Sequence, residues 1–146
     1  MTTEIRILGP GDAGVLDRVA PEVFDKPVND RWTAEFLADP RHHLAVALED
    51  GVVVGMASAV NYVNPDKPPE LWINEVGVAP THQGRGLGKR LVQALLARGR
   101  ELGCGEAWVL TDHANTVARR LYSAAGGREA PEPALMVSFR LDPPSP

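Results

Sequence analysis

Apolar residues recur along this chain with two periods, and the changes between them divide it into elements. Residues 4–8, Glu-Ile-Arg-Ile-Leu, alternate as a half-buried strand does, and Gly9-Pro10-Gly11-Asp12 breaks the alternation. Asp12 can cap a helix whose apolar face is Val15, Leu16 and Val19, with Pro21 stopping it. The run Val23-Phe24-Asp25-Lys26-Pro27-Val28-Asn29 holds too many turn formers to be regular. A short helix is then predicted from Asp30 or Thr33, carrying Trp32, Phe36 and Leu37, and Pro40 closes it.

The middle third has the period of strands. Residues 43–48 and 52–60 flank Glu49-Asp50-Gly51, and Asp-Gly between two apolar runs is a strong short-range hairpin signal. Residues 61–69 contain three prolines and read as a loop, and residues 71–78, Leu-Trp-Ile-Asn-Glu-Val-Gly-Val, form the expected central strand. Gly77 inside it marks a bulge or a close backbone approach. Glu75 needs either water or a chemical task.

From Leu87 the period becomes helical, with Leu91, Leu95 and Leu102 continuing one face while Lys89, Arg90, Arg98 and Arg100 look elsewhere, until Gly103 ends the helix. Residues 106–110 read as a strand, Asn115 opens a helix through Val117, Leu121 and Ala125, and Gly126-Gly127 stops it. Residues 135–141, Leu-Met-Val-Ser-Phe-Arg-Leu, are expected to be the last strand, with residues 142–146 a frayed tail. No repeat or linker interrupts the pattern, so residues 1–141 make one α+β domain with a mixed sheet flanked by helices.

The stretch between the central strand and the strongest helix carries the clearest chemistry. In Gln83-Gly84-Arg85-Gly86-Leu87-Gly88-Lys89, alternating glycines let the backbone turn sharply and come close to a ligand, and the helix that follows points free N–H groups at the same place. Such a turn is a cradle for phosphate. It is not a dinucleotide fingerprint, because the third glycine of GxGxxG would fall on Lys89. It is not a P-loop either, because Gln83 stands at the first glycine and Arg90 at the metal-binding hydroxyl.

Composition narrows the class. The chain has 146 residues, is 44% hydrophobic and carries a formal net charge of -4, which suits a single enzyme-sized core. No apolar run reaches the ~20 residues that span a bilayer, and the first residues lack the features of a signal peptide, so a cytoplasmic location away from membranes is expected. The acidic balance argues against nucleic acid and for a cationic small molecule as partner. Cys104 is the single cysteine, and His42 and His43, adjacent on a strand, point to opposite faces; no metal site is expected. His82 and His113 are expected at the surface near the cofactor mouth.

The pattern Q-x-x-G-x-G, read as Gln83, Gly86 and Gly88 between a strand and a helix, resembles the acetyl-CoA pyrophosphate loop of the GNAT superfamily of N-acetyltransferases. The element order resembles the GNAT fold along nearly the whole chain. A closer likeness is to the aminoglycoside 3-N-acetyltransferase branch, through Val23-Phe24-Asp25, Val53-Val54-Gly55, residues 68–75 and Ala118-Arg119-Arg120-Leu121-Tyr122. One departure is Gly127, where many members place a phenylalanine.

The resemblance implies acetyl-CoA as donor, bound by Val76, Gly77 and Val78 along the pantetheine arm, by Gln83, Gly84, Arg85, Gly86, Leu87, Gly88 and Lys89 at the pyrophosphate, and by Asn115. It implies Tyr122 as the proton donor to the cofactor sulfur. It also implies Glu75 as an acidic residue beside the acetyl group, where a base for the incoming amine is needed. Asp25, Glu70 and Asp112 are expected to add negative potential for a small cationic amine, aminoglycoside-like or polyamine. Protein N-terminal acetylation and acetyl-CoA sensing without transfer are the alternatives. A homodimer is common in such a family.

Overall fold

The computed structural model describes residues 2–143. Eight regular elements follow in the order β1 (Glu4–Ile7), α1 (Asp30–Ala38), β2 (His42–Glu49), β3 (Val52–Tyr62), β4 (Glu70–Val78), α2 (Leu87–Glu101), β5 (Glu106–Val109) and α3 (Thr116–Ala124). The sheet order is β1-β2-β3-β4-β5, antiparallel through β4 and parallel between β4 and β5, which is the mixed α+β sheet expected. Among the described residues no helix is long and apolar enough to cross a membrane.

Local chemistry explains most of the element ends. Asn29 caps α1 by accepting a hydrogen bond from the Trp32 amide at 3.0 Å, and Asn115 caps α3 by accepting from Ala118 at the same distance. The β2–β3 hairpin turns through Asp50 and Gly51, both with positive φ (52° and 75°), the geometry whose twist matches that of the strands. The predicted first helix shortens to a single 3-10 segment, Ala13–Asp17. The chain there is held by other bonds: Val53 donates to the Arg18 carbonyl and Ala20 to the Val53 carbonyl, both at 2.9 Å, so residues 18–20 are laid along the sheet.

Two bulges set which side chains face which layer. Val54 is the extra residue of β3 opposite Ala47 and Leu48, and Asn74 is the extra residue of β4 opposite Ser58 and Ala59. Because side chains alternate strictly, each inserted residue reverses the phase beyond it. Leu71 and Ile73 before the bulge, and Val76 and Val78 after it, therefore all lie on the face covered by α2. There Leu91 and Leu95 are fully buried, and truncating either to alanine costs about 2–5 kcal/mol by lost contact and residual cavity. The other face packs Leu44, Val46, Val53 and Met56 under Leu16, Val23 and Leu37 of the N-terminal third. Gly77 lies on this side under the Val23 carbonyl; a Cβ at 77 would collide with that oxygen, so the sequence expectation of a close approach holds there while the bulge itself falls at Asn74.

Residues 135–141 do not form the expected last strand. They make no ladder with the sheet, and Leu135, Met136, Val137, Phe139 and Leu141 are 70–92% exposed. Strand-like patterning supplies a face to bury but no partner edge, and none is engaged within the described residues.

His42 and His43 do point to opposite faces. His42 packs against the Phe36 ring, while His43 is buried and its Nε2–H donates to Asn61 Oδ1 at 2.7 Å. Burial holds the His43 pKa below its ordinary 6.5, the Asn61 bond opposing in part. The unfolded chain thus binds the proton more readily. Folding stability contributed here is complete above pH 6.5, falls as pH drops through that value and levels off below the folded-state pKa. We expect urea midpoints measured between about pH 7.5 and about pH 5.5, one unit either side of that ordinary value, to fall less steeply in His43→Gln than in the parent chain. Equal slopes would remove His43 as the source.

Candidate active site

The site begins where β4 loses a neighbour. β5 pairs only with residues 70–73 of β4, so beyond the Asn74 bulge the edge of β4 turned away from β3 has no strand partner among the described residues. Val76, Gly77 and Val78 present their backbone groups along that edge. An extended ligand arm with amide groups can occupy such an edge as a strand would.

Just past β4 lies the glycine turn. Gly84 and Gly86 have φ of +78° and +74°, with open space where a Cβ would stand, so it is the left-handed backbone that requires glycine at both. Gly86 is the N-cap of α2, and the first intrahelical bond is donated by Arg90 to its carbonyl at 3.1 Å. The amides of Leu87, Gly88 and Lys89 therefore have no partner within the helix, and the helix dipole adds positive potential where they point. Gly88 has a different task from the other two. A side chain there would run into Leu121 Cδ1, so this glycine lets α3 pack on the first turn of α2. Gln83 donates from Nε2 to the Val78 carbonyl at 3.1 Å, tying the turn to the end of β4.

A charged cluster braces this turn from β2. The Glu49 carboxylate accepts from His82 Nε2 at 3.1 Å and from Thr3 Oγ1 at 3.4 Å, and lies 3.8 Å from the Arg85 guanidinium. The His82 bond holds the Glu49 carboxyl below its usual range, with burial opposing and the His82 and Arg85 charges adding to the shift. Expected only as a surface group, His82 is thus engaged, its side chain 15% exposed. Nothing in the sequence marked Glu49, because its partners lie 33 and 46 residues away and meet it only through the sheet register.

On the opposite face of the sheet, Glu75 lines a cavity of about 310 Å³. The Asn74 bulge puts it there, beside Ser58 of β3. The remaining walls are mainly apolar: Phe24, Trp32, Phe36 and Met56, with Trp32 67% exposed. Phe24 and residues 26–28 form a wall common to this cavity and a second one of about 520 Å³, which carries Asp17, Glu22 and Asp25 with Lys26. Asp17, Glu22 and the aromatic wall escaped the sequence reading, which had no way to know that residues 18–23 cross over β3 and β4.

The remaining predicted residues divide. Tyr122 is half-buried against the α2-side cluster with Val76 and Val78, and burial raises its phenol pKa above the ordinary 10.0, so it stays protonated. Asn115 spends its carbonyl oxygen on the helix cap, which leaves its amide nitrogen for a ligand. Asp25 lies in the second cavity. Glu70 is held at the far end of β4, five residues and about 15 Å from Glu75. It accepts from Tyr62 Oη at 3.3 Å and Asn64 Nδ2 at 3.1 Å, and Tyr62 in turn accepts from Trp108 Nε1 at 2.7 Å. Neither Glu70 nor the exposed Asp112 lines either cavity, so proximity in a loop-based reading was not proximity in space.

Residues 15–126 match the model of the acetyltransferase (GNAT) family, and the chain belongs to that family. Among named relatives, the aminoglycoside N(6′)-acetyltransferase type 1 of Salmonella typhimurium is 34% identical over 93 residues, 60% of this chain and 64% of that protein. The N-alpha-acetyltransferase RimI of Mycobacterium tuberculosis is 38% identical over 92 residues, 62% of this chain and 54% of that one. The matched region thus spans less than two thirds of either relative's length. An aminoglycoside acetyltransferase from an uncultured soil metagenomic sample superimposes with a TM-score of 0.79 at 22% identity, covering 97% of this chain and all of the other. The aminoglycoside N-acetyltransferase AAC(6′)-Iy in complex with CoA does so with a TM-score of 0.71 at 25% identity, over 96% of each chain. The Salmonella relative and AAC(6′)-Iy bear the 6′ designation, so the 3-N branch expected from the sequence is not confirmed.

The cradle makes a sharp prediction. Gly86→Asp should abolish acetyl-CoA binding in calorimetry, since it puts a carboxylate among the phosphates, whereas Gly86→Asn, which tolerates left-handed backbone and adds no charge, should weaken binding only several-fold, on the order of 1 kcal/mol. An unchanged dissociation constant for Gly86→Asp would show that the anion sits elsewhere.

Proposed function

We propose that this chain transfers the acetyl group of acetyl-CoA to a primary amine of a small cationic acceptor, aminoglycoside-like or polyamine. The observation that carries the reading is the unpaired edge of β4, which runs from Glu75 on one face to the glycine turn and the free amides of α2 on the other side of the sheet. In this reading the backbone of residues 83–89 holds the pyrophosphate, with Arg85 and Lys89 adding charge. Val76, Gly77 and Val78 pair with the pantetheine arm, and the Asn115 amide nitrogen gives a further donor. The acetyl thioester then lies at the parting of β4 and β5.

The chemistry follows from what each group can hold. The acceptor arrives as an ammonium ion, and Glu75 takes its proton directly or through one water. The freed nitrogen lone pair attacks the thioester carbon, and the negative charge that develops on oxygen is met by a backbone N–H near Val78. Collapse of the tetrahedral adduct breaks the carbon–sulfur bond and expels the CoA thiolate, which takes the Tyr122 phenol proton. A phenol kept neutral by burial suits that step. The aromatic wall of Trp32 and Phe36 offers a surface for an ammonium or sugar face. Asp17, Glu22 and Asp25 supply negative potential next to it, outweighing Lys26. Glu70 and Asp112 stand outside this acceptor site.

Two substitutions separate the steps. Tyr122→Phe should lower kcat on the order of a hundredfold with acetyl-CoA affinity nearly intact; full turnover would mean that water protonates the sulfur. Glu75→Gln should lose rate mainly below the acceptor's own pKa and recover as pH rises, and a loss independent of pH would deny it the base role. The acceptor is tested by CoA release over a panel of aminoglycosides, polyamines, amino acids and peptide N-termini at two salt concentrations. Polycations should be preferred, with KM rising as salt screens the acidic cavity. Preference for peptide N-termini would favour the alternative that the RimI relative raises, and no release with any amine would favour acetyl-CoA sensing.

A further inference from the structure

Three donors converge on one oxygen of Glu49. Its Oε2 accepts from His82 Nε2 at 3.1 Å and from Thr3 Oγ1 at 3.4 Å, and the Arg85 guanidinium lies 3.8 Å from it. The Glu49 and His82 side chains are 13% and 15% exposed, that of Arg85 56%. Arg85 thus makes the longest of the three approaches and has the most freedom to leave. The Thr3 carbonyl in turn accepts from Arg90 at 3.2 Å, so the carboxylate is tied to the first turn of α2 as well.

A carboxylate in this place is at odds with the chemistry beside it. The turn and the free amides of α2 favour an anion, whereas Glu49 repels one and holds a guanidinium that a phosphate would claim. His82 can resolve the conflict. Its Nδ1 is 2.8 Å from Thr81 Oγ1, a hydroxyl that donates to a neutral ring and accepts from a charged one. The ring can therefore gain a proton without losing either bond, and histidine is the side chain that does so near neutral pH. The other charged groups on the surrounding elements are Arg85 on the turn, Lys89 and Arg90 on α2, Glu4 on β1, and Arg18 and Asp50 at the β2–β3 hairpin. Among the described residues only Glu49 forms an ion pair with His82.

We propose that Glu49 and His82 couple donor binding to a proton: when the pyrophosphate draws Arg85 away, His82 takes up a proton and replaces the guanidinium as the charged partner of Glu49. Both are positioning residues and touch no reacting atom. The proton passes from solvent to His82 Nδ1, one ion pair is exchanged for another, and no covalent bond to the ligand forms or breaks. Binding and protonation then favour each other by the same factor, so acetyl-CoA binds more tightly as pH falls. The Glu49 carboxyl, held below its usual range first by the His82 bond, stays charged throughout. This inference rests on the reading of residues 83–89 as the pyrophosphate cradle.

The test is calorimetry of acetyl-CoA binding at about pH 6 and about pH 8, in two buffers of different ionisation enthalpy, which together give the protons taken up. The parent chain should take up on the order of half a proton more than His82→Gln, and its affinity should fall about three- to tenfold from the lower pH to the higher. Groups on the ligand and Glu75 titrate alike in both proteins and cancel. His82→Gln, whose amide still donates to Glu49, should match the parent at the higher pH and bind more weakly at the lower. Glu49→Gln keeps an acceptor for His82 and removes the charge. It should bind about threefold or more tighter than the parent at the higher pH, with the pH dependence lost. A brace that serves structure alone would weaken binding in both variants at every pH, and that result overturns the proposal. So does equal proton uptake by the parent chain and His82→Gln. No binding by the parent chain at either pH removes the cradle itself, and this inference with it.

Discussion

One inserted residue, Asn74, governs the arrangement of this molecule. Strand side chains alternate without exception, so an extra residue in β4 is the only local means of placing Leu71, Ile73, Val76 and Val78 on one face while Glu75 looks to the other. Beyond the same point β4 and β5 part company. The bulge thus does two things together: it turns an acidic side chain into a cavity, and it marks where a strand edge becomes free for a ligand. An unbulged β4 would put Glu75 under α2 among leucines, where an unpaired carboxylate could not remain charged.

What surrounds that edge consists of parts with separate physical duties. Gly84 and Gly86 supply left-handed backbone, and Gly88 supplies room for Leu121, so three residues of one type in one motif answer two requirements. Glu49 anchors the start of the turn through His82 and reaches Arg85, linking β2 to the glycine turn. On the other face the N-terminal third is a lid. Its backbone bonds at Val53 and the close approach of Val23 to Gly77 hold residues 24–28 over the sheet, which gives the two cavities their common wall.

Stability is distributed unevenly in the same way. The core lies between α2 and the sheet, with a second layer beneath the N-terminal third, while β5 and α3 contribute only half-buried contacts. Tyr122 and Asn115 are carried by that less buried end. A region with few buried contacts opens more readily than the core.

Local pattern was sufficient for a good deal. The Asp50-Gly51 hairpin, the opening of α3 at Asn115, the face of α2 and the glycine turn were all legible, because each depends on residues within a few positions of one another. The family was legible for the same reason, its motif being a single strand–turn–helix. The first helix and the last strand were misread: for residues 12–20 backbone pairing with Val53 outweighed a weak helical pattern, and residues 135–141 have strand character but join no edge of the sheet among the described residues. Only tertiary structure decided that the bulge falls at Asn74 and not at Gly77, that Glu49 meets His82, that Glu70 lies at the wrong end of β4, and that Asp17 and Glu22 stand beside Asp25. Each of these turns on register or on how one segment crosses another, and neither is encoded in the spacing of residues along the chain.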